Sequence, residues 1–227
     1  MMGAEDFPRP AVTVDLVIFT VQDADVKVLL IRRGTPPFEG QWALPGGFVR
    51  VDDSNTGGES VEDAAYRELL EETSLPRESV YLEQLYTFGR PDRDPRMRVI
   101  SVAWCALVRP DLAPRAALHS DAALAQWWPL RDKPALAFDH DDMVRLALDR
   151  IRNKIDYTPL AFELVPPTFT VGELRTVYEA IHGEVYDRGN FRRRFNRLIE
   201  DGLISQVPGK RATSSKPARV YRFNRLR

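Results

Sequence analysis

Residues 46–75 read GGFVRVDDSNTGGESVEDAAYRELLEETSL, and the fold turns on them. Gly46 and Gly47 close the apolar stretch WALPGGFV, and from Ser60 the spacing changes to that of a helix. Ser60 stands where an N-cap is needed, with Asp63 three residues later to complete a capping box. At about 100° per residue, Glu68 and Glu72 fall nearly in one row with Glu71 beside them. Ala65, Tyr66, Leu69 and Leu70 take the neighbouring arc. Carboxylates gathered this closely repel one another unless a positive charge offsets them. Mg²⁺ or Mn²⁺ held by Glu68, Glu71 and Glu72 would do so and leave coordination positions for phosphate oxygens. Arg67, on the adjoining arc, could orient one carboxylate; a merely solvated acidic face is the competing reading.

Outward from this helix the chain alternates strand and helix patterns. AVTVDLVIFTV and VKVLLIRR, joined by QDAD, predict a strand pair with a tight turn, and VYLEQLYTF, RVISVAWCALV and AQWWPL predict further strands. A second helix is expected over 141–154, and the prolines of DYTPLAFELVPPTF mark a linker. The first domain is therefore expected over 1–157 and the second over 158–227.

Beyond the linker, Thr170 can cap VGELRTVYEAIHG, whose Val171, Leu174, Val177, Tyr178 and Ile181 share one face. NFRRRFNRLIEDG places Phe191, Phe195, Leu198 and Ile199 on a buried stripe, and LISQV, PGKRATSSKPA and RVYRF read as a hairpin. This order of helix, short turn, helix and two-stranded wing suits a winged helix-turn-helix on duplex DNA. Arg192, Arg193, Arg194, Asn196 and Arg197 would meet base edges or phosphates, and Lys210, Arg211 and Lys216 the backbone. A small helical docking module with a solvated basic surface is the alternative.

Charge supports the division. The net charge is −1 over 227 residues, but the last sixty carry 13 Lys and Arg against 6 Asp and Glu, which is +7 and leaves −8 for the rest. An acidic front suits metal binding, and a basic tail suits a polyanion. With 44% hydrophobic and 29% charged residues, no apolar run long enough for a bilayer and no secretion signal at MMGAEDFPRP, a cytoplasmic location is expected, with no membrane partner. The single cysteine, Cys105, is expected to pack as a small hydrophobe, and His119 and His182 are given no function.

Gly46, Gly47, Glu59, Arg67, Glu68, Leu69, Glu71, Glu72 and Leu75 together resemble the Nudix box. The seven residues from Glu59 to Arg67 keep its spacing, whereas eleven residues rather than five separate Gly47 from Glu59, and Ser74 replaces the glycine that ends the helix. The resemblance implies an α/β Nudix fold, a mixed sheet between helices. If the site hydrolyses, Glu59, Arg67, Glu68, Glu71 and Glu72 are its catalytic set. Misplacement of Glu59 by the insertion would impair such chemistry, since about 1 Å can cost on the order of a hundredfold in rate.

A Nudix domain followed by a basic winged helix is similar to the Nudix-related transcriptional regulators of NAD metabolism. PPFEGQWALPGGFV, YTFGRPDRDPR, LAFDHDDMV and FTVGELRTVYEAIHGEVYDRGNFRRRF carry that likeness. It implies ADP-ribose or a related NAD fragment as effector, a palindromic operator, a homodimer and repression of NAD synthesis or salvage genes. Gly46, Gly47, Arg90, Arg93, Arg96 and His140 are the expected ligand contacts, with Phe88 or Trp104 stacking the adenine. A working Mg²⁺-dependent ADP-ribose pyrophosphatase with a docking tail is the alternative function.

Overall fold

A computed structural model describes residues 9–52, 57–113, 124–213 and 216–224. His119 and the centre of the DDSNTG insertion lie outside them. β1 (Ala11–Gln22) is the axis of a seven-stranded mixed sheet. It runs parallel to β6 (Val99–Leu107) along its length on one side. On the other it is antiparallel to β2 (Asp25–Arg32) at one end and to β4 (Gly46–Phe48) at the other. β3 (Trp42–Ala43) and β7 (Ala125–Pro129) pair with β2, and β5 (Tyr81–Phe88) with β6. The QDAD turn holds Asp23 and Ala24 at φ 55° and 61°, the mirror-image turn that matches strand twist.

Alternation along β1 separates the two faces of the sheet. Val14, Leu16 and Ile18 bury against α1 (Val61–Thr73), whereas Val17, Phe19 and Val21 face α2 (His140–Lys154). Asp15 and Thr13 share the α2 face. Close approach explains Gly46: a Cβ there would lie 2.3 Å from the Val14 carbonyl oxygen. Ser60 accepts from the Asp63 amide, but Asp63 answers the Ser60 hydroxyl and so does not close the expected reciprocal box. Ser74 does end α1 in the left-handed region, at φ 53°, with its N–H on Leu70 O. Leu70 itself is exposed.

The expected linker is instead a packed segment. Pro159–Leu164 forms a 3-10 turn whose Leu160, Ala161, Phe162 and Leu164 are buried, because the apolar residues between the prolines have two surfaces to cover. One contiguous buried cluster runs from Val17 and Phe19 through Phe162 and Phe169 to Phe191, Phe195 and Tyr221.

α3 (Val171–His182) begins with a complete capping box between Thr170 and Glu173 and ends at Gly183, φ 73°. α4 (Arg188–Glu200) is capped by Asp187, and β8 (Ile204–Arg211) pairs with β9 (Ala218–Phe223). β8 extends through PGKR with a bulge, so the wing loop is shorter than the sequence suggested. Ile199, expected inside, is 38% exposed. Among the described residues no helix is long and apolar enough to cross a membrane.

Candidate functional site

On α1, Arg67 is the centre around which the acids are arranged. Its guanidinium meets Glu59 at 2.6 and 2.9 Å, Glu68 at 2.5 Å and Glu71 at 3.1 Å, and also donates to Phe48 O. Arg50 takes the other Glu71 oxygen at 3.1 Å. Arg67 holds the Glu59 carboxyl down at about 2, while burial raises that of Glu68. The six extra residues do not displace Glu59. The Glu59 amide donates to Arg50 O, the Arg50 amide donates to the Glu59 carboxylate, and Val51 bridges Gly58, which closes the insertion at its neck.

The expected metal ligands Glu68, Glu71 and Glu72 are not brought together as one cluster in this arrangement. Glu68 and Glu71 turn toward guanidinium groups, and no three His, Cys, Asp or Glu side chains among the described residues form a metal-holding group. The charge that offsets the acidic row is supplied by the chain itself. As arranged, Glu68 and Glu71 spend their charge on Arg67 and Arg50.

Next to this knot, across Gly47, lies a cavity of about 230 Å³ lined by residues of β1, β2, β4 and the loops 90–98 and 130–140. Its inner wall is a charged chain. Arg93 lies buried and makes a bidentate pair with Asp139 at 2.8 and 3.1 Å, reaching Asp15 at 3.4 Å. Ser101 donates to Asp15. His140 Nδ1 accepts from the Leu44 amide at 2.9 Å, so the ring proton sits on Nε2, 3.4 Å from Asp15. Burial lowers the His140 pKa and keeps the ring neutral at physiological pH.

Several expected contacts are relocated. Arg93 is consumed by two aspartates and serves as an internal strut; Arg96 lines the cavity but is forked onto Asp94, and Arg90 is exposed on the loop outside the lining. Trp104 packs with Leu16 and Leu69 on the α1 face, the opposite side of the sheet, and Phe88 lies against Tyr86 and the outer side of α2. The aromatic rings at the cavity are Phe48 and Phe138. Gly46, Gly47 and His140 do line it. Asp15 was overlooked, although a carboxylate within AVTVDLVIF is a visible anomaly.

α2 starts at this cavity and ends on the C-terminal domain. Two residues past its end, Asp156 receives Arg194 through its side chain at 2.9 Å and its carbonyl at 3.0 Å. Tyr178 stacks under the same guanidinium at 4.4 Å and donates to Ile155 O, and Arg152 donates to Ile181 O at 2.8 Å. Arg194 thus faces inward, and Arg211 is likewise held by Glu173 at 2.6 Å and by Thr168, so neither is free for DNA. Arg192, Arg193, Asn196 and Arg197 are exposed on the side of α4 away from buried Phe191 and Phe195, and Lys210 and Lys216 are exposed on the wing.

Comparison with known proteins agrees with this arrangement. A NUDIX domain model matches residues 9–147, and the model of the NrtR DNA-binding winged helix domain matches 161–223. The ADPR responsive transcriptional repressor NtrR of Acinetobacter baylyi is 37% identical over 220 residues, 96% of this chain and 84% of that protein. The chain belongs to the NrtR family. Shewanella oneidensis NrtR complexed with a 27mer DNA superposes with a TM-score of 0.79 at 34% identity, covering 94% of this chain and 93% of that one. The NUDIX domain of the same NrtR complexed with ADP ribose gives a TM-score of 0.52 at 32% identity over 66% of this chain and 94% of the domain.

Proposed function

We propose that this NrtR-family chain is a DNA-binding transcriptional repressor that responds to ADP-ribose through its Nudix domain. The observation that carries the reading is α2: its first turn, at Asp139 and His140, belongs to the cavity wall, and its last turn leads to the Asp156–Arg194 clamp on α4. A helix of 15 residues spans about 22 Å. Displacement at the cavity is thereby transmitted to the helix that bears Arg192, Arg193 and Arg197. The repressor activity of one relative and the DNA and ADP-ribose complexes of another support the same assignment.

The finer features belong to this proposal. The protein acts in the cytoplasm as a homodimer on a palindromic operator near NAD biosynthesis or salvage genes, with 1–157 sensing and 158–227 reading DNA. Two-fold symmetry would match two α4 helices to two half-sites. Effector binding needs no Mg²⁺ or Mn²⁺, since Arg67 and Arg50 already neutralise Glu68 and Glu71. Hydrolysis is not part of the reading.

A gel shift on DNA upstream of NAD genes, with and without ADP-ribose, tests it, with chromatography for AMP alongside. Loss of the shifted band on adding ADP-ribose, without AMP, is expected. An unchanged band with steady AMP release would instead establish the pyrophosphatase alternative.

A further inference from the structure

The wing is interrupted along its length. Pairing of β8 with β9 is regular from Ile204 and Phe223 to Val207 and Val220, then slips by two residues before Lys210 meets Arg219. Pro208 and Gly209 fill the slip, the first with no N–H to donate and the second at φ 103°. The ladder therefore fixes the base of the wing better than its tip. That tip carries Lys210 and Lys216, both exposed, and Thr213 closes it by donating to Lys216 O at 2.8 Å.

Arg211 reaches back from the tip across the bulge. Its Nη1 donates to Glu173 Oε1 at 2.6 Å, and its Nη2 donates to Thr168 O at 2.9 Å and to Thr168 Oγ1 at 3.0 Å. These acceptors belong to one tightly bound stretch. The other Glu173 oxygen accepts from the Thr170 amide at 2.6 Å, and Phe169 exchanges two backbone bonds of 2.8 Å with Tyr221. Phe169 and Tyr221 are buried, and the chain just before them, at Leu164 and Val165, lies in the same apolar cluster as β1. The connecting segment thus holds the wing twice, at β9 through main chain and at the tip of β8 through one guanidinium.

We infer that Arg211 is a positioning residue for DNA binding: it sets the wing tip so that Lys210 and Lys216 meet phosphates, and it makes no contact with DNA itself. The inference rests on the DNA-binding reading and goes further, since it gives the wing an attachment on the connecting segment, separate from the Asp156–Arg194 clamp that holds α4. A guanidinium suits the task better than an ammonium, because its planar fork takes a carboxylate and a carbonyl at once in fixed directions. Its pairing with Glu173 satisfies its charge before any phosphate arrives.

Fluorescence anisotropy on a labelled operator over a series of salt concentrations tests this. The proteins are the full-length wild type, Arg211→Gln, Glu173→Gln, the Lys210→Gln and Lys216→Gln pair, and that pair combined with Arg211→Gln. Each phosphate contact contributes about 0.9 to the slope of log Kd against log salt. Arg211→Gln should therefore lose the slope of two contacts per protomer, about 1.8, and adding the lysine pair should lower it no further. A loss of about 0.9 that adds to the effect of the lysine pair would make Arg211 a phosphate contact and overturn the proposal, as would a lysine pair that leaves the slope unchanged. Glu173→Gln supplies a check of opposite sign. It removes a negative charge, so an arginine freed for phosphate would tighten binding, whereas a tip that has lost its anchor should weaken it. Glutamine still completes the capping box, so α3 stays folded and this variant decides the matter even where Arg211→Gln melts early. Wild-type slope and affinity in both variants would reduce the tie to a structural bond and overturn the inference. A wild type that binds DNA without salt dependence, or does not bind it, would remove the DNA-binding reading and this inference with it.

Discussion

Replacing Arg194 by Gln should separate DNA affinity from the response to ADP-ribose. Four features are lost at that residue: the ion pair and the carbonyl bond to Asp156, the bond to the Tyr178 hydroxyl, and the cation–π contact at 4.4 Å. The ion pair counts for little, since the side chains are 32% and 47% exposed and such pairs contribute about 0.5 kcal/mol. The two further hydrogen bonds contribute about 1 kcal/mol each and the aromatic contact about 0.5 kcal/mol. A destabilisation of about 2–3 kcal/mol follows, a fall in Tm of roughly 5–10 °C for a chain this long. Arg192→Gln, whose side chain points outward, should leave Tm unchanged within about 1–2 °C. Fluorescence anisotropy on a labelled operator, with and without ADP-ribose, would then show Arg192→Gln with weak binding but intact release. Arg194→Gln should bind DNA yet release it poorly. If Arg194→Gln matches Arg192→Gln in both Tm and affinity and still releases normally, Arg194 is a DNA contact and the coupling argument through α2 fails.

Five other outcomes follow from the same geometry. Reversing charge at Arg192 and Arg193 together should abolish the gel shift. If about four basic groups per protomer meet phosphates, a dimer's log Kd against log salt should have a slope of magnitude about 7, and binding indifferent to salt would contradict phosphate contact. Ser74→Gly should stabilise the fold by about 0.5–1 kcal/mol in urea melts, because the left-handed position costs serine more than the extra chain entropy costs glycine. Glu59 has its folded pKa depressed to about 2, so its stabilisation is complete above about 4.5 and lost as pH falls toward 2. Burial raises the Glu68 pKa, which acts in the opposite sense, so Glu59→Gln should flatten the acid limb of a pH-stability curve. Finally, ADP-ribose should release DNA in EDTA as well as in Mg²⁺, and Glu71→Gln should not alter that release.

Periodicity made the architecture readable, because each element of the sheet and each helix buries one regularly spaced set of residues. Thr170 announced a helix start that the structure reproduces, with Glu173 completing the capping box. What failed was any judgement about where a charged side chain spends its charge. Arg93, Arg194 and Arg211 look as available in sequence as Arg192 and Arg197; only distant aspartates and glutamates, 46, 38 and 38 residues away, distinguish them. The partners of the acidic row were half legible for the same reason, since Arg67 lies beside it but Arg50 arrives from across the insertion. The segment at 159–164 was misjudged because its prolines suggest extension while its apolar residues require cover, and burial prevailed. Trp104 and Phe88 could not be assigned a face without the register of β6 against β1 and β5.

The apolar cluster that passes unbroken from β1 to the wing has an implication for ancestry. Heads and tails joined by a flexible tether can be exchanged between genes without penalty, but here a cut at the boundary would strip Phe162, Phe169 and their neighbours of cover and leave an adhesive seam on both pieces. A chimera built from two cousins would therefore need the joint transplanted along with whichever half is borrowed.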